Sequence, residues 1–317
     1  MVTIRDIAQQ AGVSVSTASR ALNDNPKISQ ATRTRIQEIA AKVGYQANFN
    51  AKTLTLGEAN VVGVVFPVAE ERSLENPFFI DVMAGINAEL SEHRYVLSVA
   101  IGATTEKVLA NVRAMVLQAK VKRFILLYTK EDDPVSAFLR EQDVRYVVIG
   151  QPLNQETKLY VDNDNYDAGY ATTELLLKEH QSIQPLFVKS EADWHYETER
   201  ERGFKDATQM HDIQALVIKA ETSKSDIILQ YVSQHPEIDG IIATDDSLAF
   251  AMLTQWRQFY HHDISVIGFN NNQLLNQLAG EKFHTVDLHA NELGLEAAKL
   301  LFAEVKTGHT NVEFTII

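Results

Sequence analysis

The hydrophobic pattern of the chain changes character once, near residue 60. Before that point, apolar side chains recur at helical spacing in three short runs. Ile4, Ile7, Ala8 and Ala11 make the first; Val13, Ala18, Ala21 and Leu22 the second; Thr32, Ile36, Ile39, Ala40 and Val43 the third. Thr3 followed by Asp6 is a capping-box pattern, and Ser14 and Ser29 stand where N-caps belong. Gly12 allows a tight turn and Gly44 closes the third run. Three helices are therefore predicted, the second over roughly Val15 to Leu22.

After residue 60, short apolar runs alternate with helical stretches. V-V-G-V-V-F, Y-V-L-S-V-A-I, F-I-L-L-Y and Y-V-V-I-G read as buried strands. Past residue 160 the same holds for P-L-F-V, A-L-V-I, G-I-I-A-T and I-S-V-I-G-F. Helices are predicted from Asn76-Pro77 to about His93, after Thr105, from Tyr166, through Arg200, from Ser223 and from Asp246. This alternation predicts an α/β body of two lobes with doubly wound parallel sheets behind a three-helix, helix-turn-helix headpiece. The linkers near 150–163 and 270–290 suggest that the chain crosses between lobes more than once. A helix over 292–306 and a last strand from Val312 to Ile317 are expected to return to the first lobe. The expected domains are 1–46, a hinge over 47–58, and a body over 59–317. Within the body, lobe one takes about 59–160 and 288–317, and lobe two about 161–287.

The small N-terminal unit has little room for a core, yet its second helix turns Val15, Ser16, Thr17, Ser19, Arg20 and Asn23 outward. Such a helix, preceded by a tight turn, suits the DNA major groove, with its first turn facing base edges. The next segment, Y-Q-A-N-F-N-A-K-T-L, is too short and too rich in Asn to be a stable isolated helix. It ends in apolar Leu54 close to Lys52, as expected of a wedge that folds when it enters a minor-groove base step.

Charge sharpens this division. Residues 1–56 hold seven Lys and Arg against three acids, a net of +4; the whole chain is −13, which leaves −17 on the remainder. DNA affinity is thus expected in the small unit, opposed by the acidic body and steeply salt-dependent. The chain has no cysteine, which excludes disulfides, thiolate zinc sites and a cysteine nucleophile. No apolar run is long enough to span a membrane and no signal stretch opens the chain, so a cytoplasmic, nucleoid-associated protein is expected.

The run T-I-R-D-I-A-Q-Q-A-G-V-S-V-S-T-A-S-R-A-L-N, with Tyr45, Asn48, Ala51 and Leu54 in register, resembles the headpiece and hinge of the lactose/galactose repressor family. The resemblance extends over the body and implies a periplasmic-binding-protein-like two-lobe fold. It implies that Val15, Ser16 and Arg20 read bases, and that Thr3, Ser14, Thr17, Ser19, Asn23 and Thr32 hold phosphates. It also implies that Leu54 from two subunits opens the central step of a palindromic operator, with Asn48, Ala51 and Lys52 in the same hinge. The chain has Ala47 where the family usually has Pro. Val15 can meet a thymine methyl but cannot donate a hydrogen bond, so Arg20 is expected to dominate direct readout.

Ligands of doubly wound sheets bind beyond the carboxyl ends of the strands. There, Asn76, Phe78 and Phe79 follow the first strand of the body, and one Phe is expected in the core and one against a sugar ring. By family register, V-D-N-D-N-Y-D-A-G places Asp164 at the ligand, although it reads equally as the N-cap of the Tyr166 helix and both can hold; R-E-R-G-F places Arg200 at the ligand, and Asp245 and Asn270 follow two later strands. Asp246 reads as a helix cap, and Trp194 as a stacking surface or a partly buried side chain. Carboxylates, an Arg and aromatic rings together suit a hydroxyl-rich ligand. N-P-F-F-I-D-V-M-A-G-I and T-V-D-L-H-A-N-E-L-G resemble the family's maltose-operon regulators, which implies a maltose-type saccharide.

No phosphate-binding, dinucleotide, zincin or nucleophile-elbow motif occurs, and His261-His262 reads as solvated surface, so neither an enzyme, a cofactor nor a metal is expected. The expected protein is a homodimeric repressor, released from double-stranded operator DNA by a small saccharide, with no membrane partner. Three alternatives stay open on sequence: a regulator driven by a purine or phosphocarrier corepressor, an enzyme on the same sheet, and a transport-type binding protein.

Overall fold

The computed structural model describes residues 2–22, 24–45, 59–68, 77–153, 158–220, 225–260, 264–281 and 283–317. The expectations placed on Asn23, Ala47, Asn48, Ala51, Lys52, Leu54, Asn76, Ser223, His261 and His262 lie outside these residues. The chain divides into two units, Met1–Asn60 and Val61–Ile317.

The first unit holds α1 (Ile4–Gln10), α2 (Val15–Leu22) and α3 (Gln30–Lys42). Its core is Ile7, Ala11, Ala21, Ile36 and Ala40, with Val13, Leu22, Ile39 and Val43 packed around them. The Asp6 carboxylate accepts from the Thr3 N–H (2.7 Å) and the Thr3 hydroxyl (2.8 Å), fixing the start of α1. Arg35 donates to the Ala11 carbonyl (2.7 Å), so α3 satisfies an orphan acceptor at the end of α1. The Ser14 hydroxyl accepts from the Thr17 N–H (3.1 Å) and starts α2.

The second unit contains two six-stranded sheets. In chain order the elements of the first lobe are β1 (Val61–Val65), α4 (Phe78–Glu92), β2 (Val96–Ala100), α5 (Thr105–Leu117), β3 (Arg123–Leu126), α6 (Pro134–Glu141), β4 (Arg145–Ile149) and β5 (Leu159–Asp162). The chain then crosses into α7 (Asn165–Lys178), β6 (Pro185–Lys189), α8 (His195–Met210), β7 (Leu216–Lys219), α9 (Ser225–Gln234), β8 (Gly240–Ala243), α10 (Asp246–Tyr260), β9 (Ser265–Phe269), α11 (Gln273–Ala279) and β10 (Phe283–Asp287). It returns through α12 (Ala290–Phe302) and β11 (Gly308–Asn311), then ends with β12 (Thr315–Ile316).

The first sheet runs β11-β5-β4-β3-β1-β2, all parallel; the second runs β12-β10-β9-β8-β6-β7, parallel except for β12, which pairs antiparallel with β10. Each sheet is buried on both faces. Along β3 and the residue after it, Ile125 and Leu127 enter the cluster with Val82 and Ile86 of α4 and Ala297 of α12, while Phe124 and Leu126 enter the one with Val112 of α5 and Leu139 of α6. This alternation explains why the strands read as unbroken apolar runs.

The strand β5 pairs with β4 in the first sheet, so the first lobe runs to Asp162 before the chain crosses. One expectation needs correction. The expected last strand, Val312 to Ile317, does not return to the first lobe: β11 lies before it, and Thr315 and Ile316 pair with Asp287 and Val286 of the second. Strands β5, β10 and β11 and helices α6 and α11 were not predicted. Each is short or carries polar residues that blur its period, although Asp133-Pro134 is a readable start for α6: the Asp133 carboxylate accepts from the Ser136 N–H (2.8 Å) and Pro134 stands first in the helix.

Candidate functional site

Two sites emerge, one in each unit. In the first, α2 presents Val15, Ser16 and Arg20 exposed, while Ala18 and Ala21 anchor its other face. At its N-terminus the Ser14 hydroxyl lies 2.9 Å from that of Ser16 and 2.8 Å from that of Thr17, a cluster of hydroxyls at the start of the helix. Ser29 and Thr32 repeat this at the start of α3, their hydroxyls 2.9 Å apart. Helix N-termini with such hydroxyls are suited to phosphate oxygens, and an exposed guanidinium one turn on is suited to a base edge. Thr3 lies at the start of α1 and Ser19 is half-buried on α2.

In the second unit, a cavity of about 670 Å³ opens beyond the carboxyl ends of the strands of both sheets. Its walls include Phe78, Phe79, Tyr128, Gln151, Asp162, Asn163 and Asn165, and, from the segments after β6, β8 and β9, Trp194, Tyr196, Glu197, Arg200, Asp245, Phe250 and Asn270.

Arg200 is the electrostatic centre. It is 3 % exposed, donates from Nε to Asn165 Oδ1 (2.9 Å) and from NH1 to the Thr244 carbonyl (2.8 Å), and lies over the rings of Phe269 and Tyr196. Burial lowers its pKa to about 10, with Tyr196, Glu197, Asp162 and Asp245 opposing, so it stays charged at neutral pH. Two of its five N–H donors are engaged by these bonds. Burial pushes Asp162 up to about 6 against the pull of the Asn163 N–H and the Arg200 charge, and it raises Asp245 as well.

Two glycines make this arrangement possible. A Cβ on Gly169 of α7 would collide with the backbone of Arg200, and one on Gly203 of α8 with the backbone carbonyl of Tyr166. The helices therefore touch backbone to backbone, which brings Asn165 within reach of Arg200.

Glu197, 1 % exposed, ties three segments together. Oε1 accepts from the Ser190 N–H (3.0 Å) and the Thr244 hydroxyl (2.6 Å); Oε2 accepts from the Ser190 hydroxyl (2.7 Å) and the Trp194 N–H (3.0 Å). Asp245 lines the cavity and caps α10, accepting from the Leu248 N–H (2.9 Å). Asp246 is the correction here. The cap is Asp245; Asp246, expected to be the cap, is the first helical residue, is buried and accepts from the Asn272 N–H (2.6 Å) and the Thr285 hydroxyl (2.7 Å), joining α10 to β10. Burial raises it to about 7. Asn270 lines the cavity in a left-handed conformation (φ 97°), which an amide side chain tolerates better than most.

Of the ligand residues expected from the sequence and described in the structure, Phe78, Phe79, Trp194, Arg200, Asp245 and Asn270 line one cavity. The split expected between Phe78 and Phe79 is absent: both face the cavity, and both pack against the first lobe's core, with ring centroids 5.7 Å apart. Asp164 stands apart: it is exposed, outside the cavity lining, and caps α7 through the Asp167 N–H (2.8 Å). Asp164 is taken up as the N-cap of α7, and Asp162, Asn163 and Asn165 on either side of it line the cavity instead. All three were legible as polar neighbours in the same V-D-N-D-N run; Tyr196 and Glu197 were legible as residues four and three positions before Arg200 on its helix.

Comparison with known proteins finds a match for each unit of the chain. Residues 3–48 match the family described as bacterial regulatory proteins, lacI family, and residues 59–317 match periplasmic binding proteins and sugar binding domain of LacI family. The HTH-type transcriptional regulator MalR of Staphylococcus xylosus is 30% identical over 99% of this chain and 94% of its own length. The regulator of the same name from Streptococcus pneumoniae is 29% identical over 98% and 94%. In fold, the chain is similar to a transcriptional regulator CelR–cellobiose complex (TM-score 0.74, 22% identity, 100% of this chain and 98% of that one). A helix-turn-helix unit followed by a two-lobe binding body, matched over nearly the whole length, places this chain in the LacI family of bacterial transcriptional regulators, which are DNA-binding regulators and not enzymes.

Proposed function

We propose that this regulator represses a carbohydrate-utilisation operon as a homodimer and releases its palindromic operator when a maltose-type saccharide enters the cavity. The observation that carries the reading is the cavity wall: aromatic rings from both lobes beside one buried Arg and several carboxyl and amide side chains. Rings take the apolar faces of a sugar, carboxylates accept from hydroxyls, and the guanidinium donates to ring or hydroxyl oxygens. The same wall disfavours a phosphorylated or otherwise anionic corepressor, which would meet Asp162, Glu199 and Asp245 around a single Arg. The volume of about 670 Å³ lies within the range of ordinary small-ligand sites. The MalR relatives and the cellobiose complex support a disaccharide.

On the DNA side, the proposed base readers are Val15, Ser16 and Arg20, with Thr3, Ser14, Thr17, Ser19, Asn23 and Thr32 at phosphates. Asn48, Ala51, Lys52 and Leu54 are the proposed hinge contacts. A dimer is required because one recognition helix covers one half-site only. A repressor must reach chromosomal DNA, so the proposed compartment is the cytoplasm, at the nucleoid.

Selection from a palindromic operator library at fixed salt, with and without maltose and a sugar panel, tests the reading. One selected palindrome that maltose releases is the expected result. A ligand that strengthens binding, or no response to any sugar, would overturn induction.

A further inference from the structure

The three segments in which the chain passes between the sheets meet at one side chain. They are residues 163–164 between β5 and α7, 288–289 between β10 and α12, and 312–314 between β11 and β12. Asn163, 5 % exposed, belongs to the first. Its Nδ2 donates to the Leu288 carbonyl of the second (3.2 Å) and to the Val312 carbonyl of the third (2.8 Å). An amide NH₂ carries two hydrogens, so both are engaged in joining crossings.

The surroundings hold the same junction from outside. The Val312 N–H donates to the Asp162 carbonyl (2.9 Å). His289, in the left-handed region (φ 51°), donates its N–H to Asp287 Oδ1 (2.7 Å) and meets the Thr315 hydroxyl through Nε2 (3.0 Å). Asn163 also lines the cavity, between Asp162 and Asn165, each of which faces the same space. One planar group thus touches the cavity and all three crossings. Reorienting the lobes has to rotate the crossings relative to one another, and the Leu288 and Val312 carbonyls cannot move apart while one NH₂ holds both.

We propose that Asn163 is a positioning residue that sets the resting orientation of the two lobes and couples the cavity to it. A cavity occupant changes lobe orientation by working against this three-way junction. The coupling half of the proposal rests on the cavity being the effector site; the junction itself does not.

The full-length chain is compared with Asn163→Ala and with Asn163→Leu, which fills similar volume without donors. Hydrogen exchange is measured without sugar, and operator affinity with and without maltose. Expected is faster exchange in peptides covering all three crossings, with the central strands of both sheets unchanged. The fold-change in operator affinity caused by maltose should shrink by about tenfold, a size that one to two buried hydrogen bonds support. Faster exchange throughout both sheets, or collapse of both variants on melting, would make Asn163 a folding residue and overturn the proposal. So would crossings that exchange as in the parent, or a released junction with the parent's full maltose response. A parent that does not respond to maltose would defeat the effector reading alone, and the exchange pattern would still decide the junction.

Discussion

Arg20 is exposed on α2, whereas Arg200 is buried between α7 and the end of β8 with Asn165, Thr244 and two aromatic rings as neighbours. The same guanidinium therefore does different work at the two sites. Replacing Arg20 with Ala removes a donor that faces solvent and leaves no buried group unsatisfied. It should lower affinity for the selected operator by roughly tenfold to a hundredfold, as loss of a good base contact does, with maltose affinity unchanged by calorimetry. Arg200→Lys keeps a charge but loses the planar fork, so Asn165 Oδ1 and the Thr244 carbonyl cannot both be reached. The expected outcome is a maltose affinity reduced by about tenfold or more and a stability loss of about 1–3 kcal/mol by urea unfolding. Operator binding without sugar should persist. An Arg20→Ala protein that still prefers its operator would dismiss α2 as the reader.

At the level of elements, the two lobes solve the same packing problem in the same way. Gly169 and Gly203 bring α7 onto α8, and Gly85 and Gly294 bring α4 onto α12; in each pair a Cβ would collide with the backbone of the facing helix. Only the first pair carries a cavity residue, Arg200, in its contact. Gly203→Ala should force α7 and α8 apart, cost about 1–3 kcal/mol of stability and weaken maltose binding through the Arg200–Asn165 bond. Gly294→Ala should cost similar stability with a smaller effect on maltose. Melting temperature and maltose titration on both variants check this; equal loss of affinity in the two would refute a specific role for the α7–α8 contact.

For the whole molecule, both lobes bury carboxyl groups at strand ends, Asp162 in the first and Asp246 in the second, and this links the body's stability to pH. Burial raises Asp246 from the ordinary carboxylate value to about 7, outweighing the Asn272 N–H and the Thr285 hydroxyl; Asp162 rises to about 6. A raised pKa means that the folded state binds more protons than the unfolded chain between pH 4 and 7, roughly. The contribution of such a group is complete below its unfolded value and is lost as pH rises through the folded one. Stability of the body should therefore fall on going from about pH 5 to about pH 8, by about 2–3 kcal/mol for Asp246 alone. Asp246→Asn should flatten that slope. Urea midpoints across the range measure it, and a variant with the parent's slope would show that Asp246 does not titrate there.

Much of this was legible in the sequence because its signals are local. Caps at Thr3, Ser14 and Ser29, the turn at Gly12 and the helical period located the headpiece almost to the residue. Continuous apolar runs located eight of the strands of the body, since a strand buried on both faces needs no partner to be apolar. The residues that meet in the cavity were named mostly from motif register. The tertiary structure alone decided what depends on separation in space. It put β12 in the second sheet, left Asp164 out of the cavity and gave Asp162 an inward place, and made Asp246 a tie between distant segments. It also gathered Asn163, Leu288 and Val312 at one point. Hydrogen bonds across 125 and 149 residues leave no period and no spacing in the chain, because the partner's position is set by the packing of both sheets and not by its neighbours in sequence.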